Sequence, residues 1–195
     1  MEAIIKVDKE AADKIISNDA KVNELRATIE EQIVTVLVKR APMAIDLRLT
    51  ISTLKISSDL ERIGDEAAKV ARQAVQLSEG GMSPSSFVEI RHIGALVGVL
   101  LRQSLDAFAR LDVTKAIEVV RGDAEVDKEY GSAMRSLVTF MVEDPRNIGA
   151  ILNEMWALRS LERIGDHACN IAEHVVYLVK GLDVRHGRLS ELGEE

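Results

Sequence analysis

A single cysteine, Cys169, occurs in the 195 residues. That excludes a disulfide framework within the chain and fits a reducing compartment. Aromatic residues make up only 3%, so any core must be built from Leu, Ile, Val and Ala. No dense block of Lys and Arg occurs and the formal net charge is −7, which argues against a nucleic-acid partner. The N-terminus lacks the charged-then-apolar pattern of a secretory leader. The longest apolar run, Ile93 to Leu101, is far too short to span a bilayer. There is no Gly-rich phosphate loop, no Gly-x-Ser-x-Gly elbow and no Cys-x-x-Cys, so no nucleotide site and no catalytic constellation is expected. These absences describe a soluble cytoplasmic protein that is not an enzyme.

What the chain does have is helical periodicity. No stretch keeps a period-two alternation between turn signals. The three prolines, Pro42, Pro84 and Pro145, sit at junctions and open long helical patterns, where a missing N–H is tolerated. Ser83 and Asp144 precede two of them as N-cap candidates. Gly80-Gly81 and Gly181 close helices. The pattern predicts helices from about Asp8 to Arg40, Pro42 to Glu79, Pro84 to Leu111, Asp112 to Glu143 and Pro145 to Lys180. Matching pairs such as Ile15-Ile16 with Val119-Val120 show that the second half repeats the first. The expected fold is all-α: two tandem three-helix bundles over residues 1–80 and 81–195, the first lacking most of its opening helix. The third helix of each half carries an apolar seam, Ile56, Leu60, Ile63, Ala67, Val70, Ala74, Leu77 and Ala157, Leu161, Ile164, Ala168, Ile171, Val175, Leu178, as bundle packing requires. In the first half Ile15, Val22, Ile29, Ile33, Ile56, Ile63 and Val70 lack a third partner. A twofold dimer through that vacant groove is therefore expected.

One five-residue stretch occurs twice: Glu61-Arg62-Ile63-Gly64-Asp65 and Glu162-Arg163-Ile164-Gly165-Asp166. Glu and Asp four apart share a helix face and repel by a few tenths of a kcal/mol. The Gly costs roughly 1 kcal/mol against Ala in a helix interior. Paying this twice suggests a cation. Counting from the turns places further oxygens at the same height. Glu61 and Asn23 both lie 19 positions from Pro42, and Asp65 and Asp19 both lie 23 from it. Glu162 lies 17 beyond Pro145 and Asp127 18 before it; Asp166 lies 21 beyond and Asp123 22 before. In antiparallel helices of equal rise such residues stand level. Clustered oxygens suit a hard cation such as Mg²⁺, Mn²⁺ or iron. The bland alternative is a solvated acidic face with Arg62 and Arg163 as local counter-charges.

The doubled motif, its Asp-x-x-x-Asp/Asn partners and the segment Asp46-Leu47-Arg48 after Pro42 resemble the PhoU family of bacterial phosphate-signalling regulators. The resemblance covers essentially the whole chain. It implies two three-helix bundles that bind metal, iron or zinc in some members, and that repress phosphate uptake and the phosphate regulon. It implies action in the cytoplasm, peripheral to the inner membrane through two partners: the ATPase subunit of the phosphate ABC transporter and the sensor histidine kinase PhoR. It carries a metal role to Asp19, Glu61, Asp65, Asp123, Asp127, Glu162 and Asp166. Asn23 departs from the acidic pattern and offers a neutral oxygen, so the first site should be weaker. Asp46-Leu47-Arg48 has no counterpart after Pro145. Two other readings compete: a ferritin-like di-iron carboxylate oxidoreductase, which would need histidines on the acidic faces, and a metal-free helical scaffold. Of the remaining residues, Cys169 reads as a buried thiol near the acidic level. His167 and His174 read as surface residues. Glu89-x-x-His92 reads as surface decoration and Trp156 as packing.

Overall fold

The computed structural model describes residues 9–79 and 88–184. Among these the chain forms five α-helices and no strand: α1 (Lys9–Arg40), α2 (Ala44–Glu79), α3 (Val88–Arg110), α4 (Val113–Glu143) and α5 (Ile148–Lys180). A 3₁₀ turn, Pro145–Asn147, leads into α5. Pro145 therefore opens a helical segment as expected, whereas α2 begins two residues after Pro42. Ser83, Pro84 and Gly80-Gly81 lie outside the described residues.

The ends have local causes. The Asp112 carboxylate accepts from the Lys115 backbone N–H at 3.0 Å and caps α4. Asp144 accepts from the Arg146 backbone at 3.3 Å and from its guanidinium at 2.8 Å, which fixes the turn between α4 and α5. Gly181 (φ 74°) ends α5 in a left-handed cap, its N–H donating to Tyr177 O at 2.9 Å. Only Gly takes that backbone without strain. Arg48 of α2 lies over this cap and donates from Nε to Leu178 O at 3.3 Å, so the Asp46-Leu47-Arg48 segment ties one half to the end of the other.

α5 is the centre of the molecule and packs against α2, α3 and α4. Its seam is buried throughout, from Ala157 to Leu178, and the α2 seam is buried at Ile56, Ile63, Val70, Ala74 and Leu77. Ile90, Ile93, Val97, Val119 and Val126 complete the second bundle. Each such aliphatic side chain contributes about 1.5–3 kcal/mol on burial. α1 packs chiefly on α2, and its buried residues are Ala12 and Ile33. The vacant groove is thus shallower than the sequence implies. α5 covers the α2 side, with Ile56, Ile63 and Val70 buried, while Ile15, Val22 and Ile29 on α1 are half-buried.

α2 and α5 run antiparallel, since Arg48 meets Leu178, Asp59 meets His167 and Glu66 meets Arg163. The two copies of the repeated motif therefore cross back to back. In the register of the repeat Asp59 matches Ser160 and Glu66 matches His167. The interface pairs these positions both ways: Ser160 hydrogen-bonds Glu66, and His167 Nδ1 lies 2.9 Å from Asp59 Oδ1. A pseudo-twofold axis thus passes between the motifs.

Candidate metal centre

With their inner faces spent on this crossing, the motifs turn their carboxylates outward, each toward the preceding helix of its own half. The glycine makes the approach close. A Cβ on Gly64 would stand 3.0 Å from Asp19 Oδ1 and 3.6 Å from Val22, and one on Gly165 would stand 3.4 Å from Asp123 Oδ1 and 3.5 Å from Val126. At Gly64 the Asp19 carboxylate would have to give way to a Cβ, whereas at Gly165 a Cβ would make ordinary contact with Asp123. The rotations that level-counting leaves open are therefore settled: Asp19 and Asp123 face their motifs.

In the second half Asp127, Glu162 and Asp166 each offer a carboxylate oxygen, and these oxygens lie within 4.8 Å of one another. Asp127 and Asp166 are exposed and Glu162 is mostly buried. Glu162 Oε1 accepts from Arg159 Nη1 at 3.0 Å, whereas its Oε2 is buried without any partner. An orphaned carboxylate oxygen is costly unless something cationic meets it. Burial raises the Asp123 carboxyl to about 6, helped by the charges of Asp127, Asp166 and Glu162. Burial and then Asp166 likewise raise Glu162, against the pull of Arg159; burial and then Asp127 raise Asp166. Crowded anions that resist ionising are what a bound cation would relieve. Cys169 lies against Asp123, and burial followed by that acidic charge pushes its thiol well up. It is a partly buried, protonated neighbour of the cluster.

The first half is built differently. Asp19, Glu61 and Asp65 do not converge into such a group, and Asn23 is exposed. Arg26 reaches in from α1, with Nη1 3.4 Å from Glu61 Oε1. Arg62 stands 3.7 Å from Glu61 and 3.6 Å from Asp65. Glu61 Oε2 and Asp19 Oδ1 nevertheless remain buried without a hydrogen-bond partner. The position of Arg26 corresponds to Tyr130, which hydrogen-bonds Arg159 in the second half. A guanidinium meets a carboxylate in each half, Arg26 on Glu61 and Arg159 on Glu162, but among the described residues only the second half keeps three converging carboxylates.

Two expectations need correction. His167 and His174 are not surface residues. They lie on the α2–α5 interface with Asp59 between them, His174 buried, His167 half-buried, and Nε2 of His174 3.5 Å from Asp59 Oδ2. Arg163 also reaches across the crossing, its Nη1 donating to Glu66 Oε1 at 3.0 Å, while its charge still favours the ionised forms of Glu162 and Asp166. Both follow from the same cause. Arg163, His167, Asn170 and His174 form a polar stripe at helical spacing, and α2 packs on that stripe. Trp156 is 62% exposed and lies outside the core, also contrary to expectation. His92 is exposed and pairs with Glu129 at 3.5 Å, as surface decoration would.

Sequence reasoning missed Glu154, which is only 3% exposed on α5. Burial, then the charge of Glu89, raises its carboxyl to about 7. An acid raised in the folded state favours folding below its unfolded value near 4.5, and that advantage is lost as pH rises through about 7. Glu154→Gln should therefore be more stable than the parent by roughly 1–3 kcal/mol at pH 8, after discounting for screening, and nearly equal to it near pH 4.5. Paired thermal melts at the two pH values check this; a variant less stable at pH 8 would contradict the assignment.

Fold and site together define a duplicated helical-bundle protein with a carboxylate cluster on an outer helix face and no catalytic constellation among the described residues. The PhoU domain model matches residues 1–74 and 90–175, and the chain belongs to the PhoU family. It is 53% identical over 193 residues to the phosphate-specific transport system accessory protein PhoU homolog of Pseudomonas aeruginosa, covering 99% of this chain and 80% of that one. It is 40% identical over 179 residues to the PhoU accessory protein of Escherichia coli K12, covering 92% and 74%. The crystal structure of PhoU from Pseudomonas aeruginosa superposes with a TM-score of 0.90 at 53% identity, over 92% of this chain and 86% of that one. The phosphate transport system regulatory protein PhoU from Streptococcus pneumoniae superposes with a TM-score of 0.84 at 31% identity, over 93% and 85%.

Proposed function

We propose that this protein is a negative regulator of phosphate uptake and of phosphate-regulon transcription, working as a metal-binding helical adaptor rather than as an enzyme. In this reading it acts in the cytoplasm, between the ATPase subunit of the phosphate ABC transporter and the sensor histidine kinase PhoR. No helix among the described residues is long and apolar enough to cross a membrane; in this reading the protein attaches to the transporter peripherally, through its partners. The observation that carries the metal part is the orphaned, buried Oε2 of Glu162 beside the converging oxygens of Asp127 and Asp166. These residues would hold the ion, with Asp123 behind them. An all-oxygen set suits magnesium, manganese or iron better than zinc. Bound there, the ion supplies charge neutralisation and a link between α4 and α5. Asp19, Asn23, Glu61 and Asp65 form the weaker site, since their oxygens do not converge as those of the second half do and Asn23 is neutral. The half-buried apolar side of α1 supports association as a homodimer.

The relatives' names, which call them accessory and regulatory proteins of phosphate transport, support the regulatory part. A strain lacking the gene should express alkaline phosphatase at starvation levels in rich phosphate, and the wild-type gene should restore repression. Phosphatase that stays low in the deletion strain would contradict the assignment. The ferritin-like oxidoreductase reading loses ground because His167 and His174 face Asp59 and α2 rather than the carboxylate cluster.

A further inference from the structure

The hairpin end that joins α1 to α2 is apolar where it should not be. Val38 and Met43 are each 79% exposed, Ile45 is 56% exposed, and Val36, Leu37 and Leu47 are exposed beside them. The reason is geometric. Arg48 already bonds the last turn of α5, at Leu178, and α2 continues toward Pro42 beyond that contact. At about 1.5 Å per residue the tip stands roughly 9 Å past the bond. The charge there is unusual as well. Residues 34–55 carry Lys39, Arg40, Arg48 and Lys55 against Asp46 alone, in a chain of net charge −7. Arg48 and Lys55 are engaged, on Leu178 O and over the Tyr177 ring, but Lys39 and Arg40 are exposed and make no ion pair among the described residues.

The other hairpin end is an internal comparison. The matching stretch, residues 138–156, is also apolar at its surface, with Val142 76% and Phe140 54% exposed. It carries Arg146 against Glu143, Asp144 and Glu154, so its charge has the opposite sign. Duplication has kept the apolar character of both tips and made one of them basic. A basic apolar tip on an acidic body is oriented by an anionic surface, because the body is repelled while the tip is attracted. Exposed aliphatic side chains flanked by cations at a protruding turn match the two-part requirement for interfacial binding, apolar insertion plus headgroup attraction.

We propose that the α1–α2 tip docks on a bilayer of anionic lipid, with Val38 and Met43 entering the interfacial layer and Lys39 and Arg40 against headgroup phosphates. This does not rest on the metal centre or on the regulatory reading. The test uses the full chain with vesicles of phosphatidylglycerol and phosphatidylethanolamine, and with phosphatidylcholine vesicles as the neutral control. The protein should sediment with the anionic vesicles at low salt, bind the neutral ones weakly and be released by high salt. Lys39→Glu with Arg40→Glu should lower the partition coefficient by about tenfold or more, as losing two headgroup contacts and reversing their charge implies. Val38→Ser with Met43→Ser should weaken binding too, and Phe140→Ser with Trp156→Ser at the opposite end should not. In a Trp156→Phe background, Met43→Trp should shift its emission to the blue on anionic vesicles. Failure of the wild type to bind, unchanged binding of both tip variants, an unmoved emission at position 43, or loss of binding in the Phe140 and Trp156 variant would each overturn the proposal. So would an oligomer, seen by light scattering, that the tip variants dissolve while no vesicle binding is found.

Discussion

Replacing Asp59 with Ala should cost the fold about 2–4 kcal/mol and lower the melting temperature by roughly 5–10 °C. Asp59 is the carboxylate on which the two halves converge. It meets His167 Nδ1 at 2.9 Å, accepts from Asn170 Nδ2 at 3.3 Å and faces His174 Nε2 at 3.5 Å. Burial would raise its carboxyl, but hydrogen bonds from His167, His174 and Asn170 more than offset that and hold it at about 2. A depressed carboxyl contributes stability that is complete above its unfolded value near 3.8 and is lost as pH falls through about 2. The gap between wild type and Asp59→Ala should thus be open at pH 7 and narrow below pH 3. Thermal melts across that range check both statements. A variant melting with the wild type at pH 7 would mean that the α2–α5 interface does not depend on this network.

The second large effect belongs to the carboxylate cluster. Without metal, the protein should lose stability as pH rises from about 4 to 7. Asp123, raised from 3.8 to about 6 by burial and then by Asp127, Asp166 and Glu162, favours the folded state below its unfolded value. That contribution disappears as pH rises through about 6, a loss of roughly 1–2 kcal/mol after screening. Glu154 titrates in an overlapping window, so the experiment belongs in the Glu154→Gln background. Adding manganese at neutral pH should restore what ionisation removed. At a hundredfold excess over its dissociation constant a ligand of the folded state contributes about 2.7 kcal/mol. Asp123→Asn should flatten the pH dependence. A melting temperature indifferent to both pH and manganese would leave the cluster an ordinary acidic face.

Much of this was legible in the sequence, for identifiable reasons. The helices were, because long 3.6-residue periodicity is punctuated by Pro42, Pro145 and Gly181. The level of the second site was, because Asp123, Asp127, Glu162 and Asp166 can be counted from one turn and helical rise is constant. The role of the motif glycines was not, since a cost in propensity does not say what fills the space. The contact of Gly64 with Asp19 answers that. Arg26 and Arg159 were missed although each stands three residues from a site residue, Asn23 and Glu162, the spacing at which helix neighbours meet. His167 and His174 look like surface residues in the sequence because they fall off both the apolar seam and the acidic face. α5 is packed on more than one side, and its polar stripe from Arg163 to His174 faces another helix rather than water. The exposure of Trp156 had no signal, because an aromatic at a helix surface looks the same in sequence whether or not a neighbour covers it.

The central proposal is that Asp127, Glu162 and Asp166 hold a metal ion and that Glu61 and Asp65 hold one less well. Metal content per chain, measured by elemental analysis after purification and again after equilibration with manganese, tests it most directly. Glu162→Ala with Asp166→Ala should remove most of the bound metal and leave the helical circular dichroism intact, while Glu61→Ala with Asp65→Ala should remove little. Equal metal in the wild type and the Glu162/Asp166 variant would contradict the account.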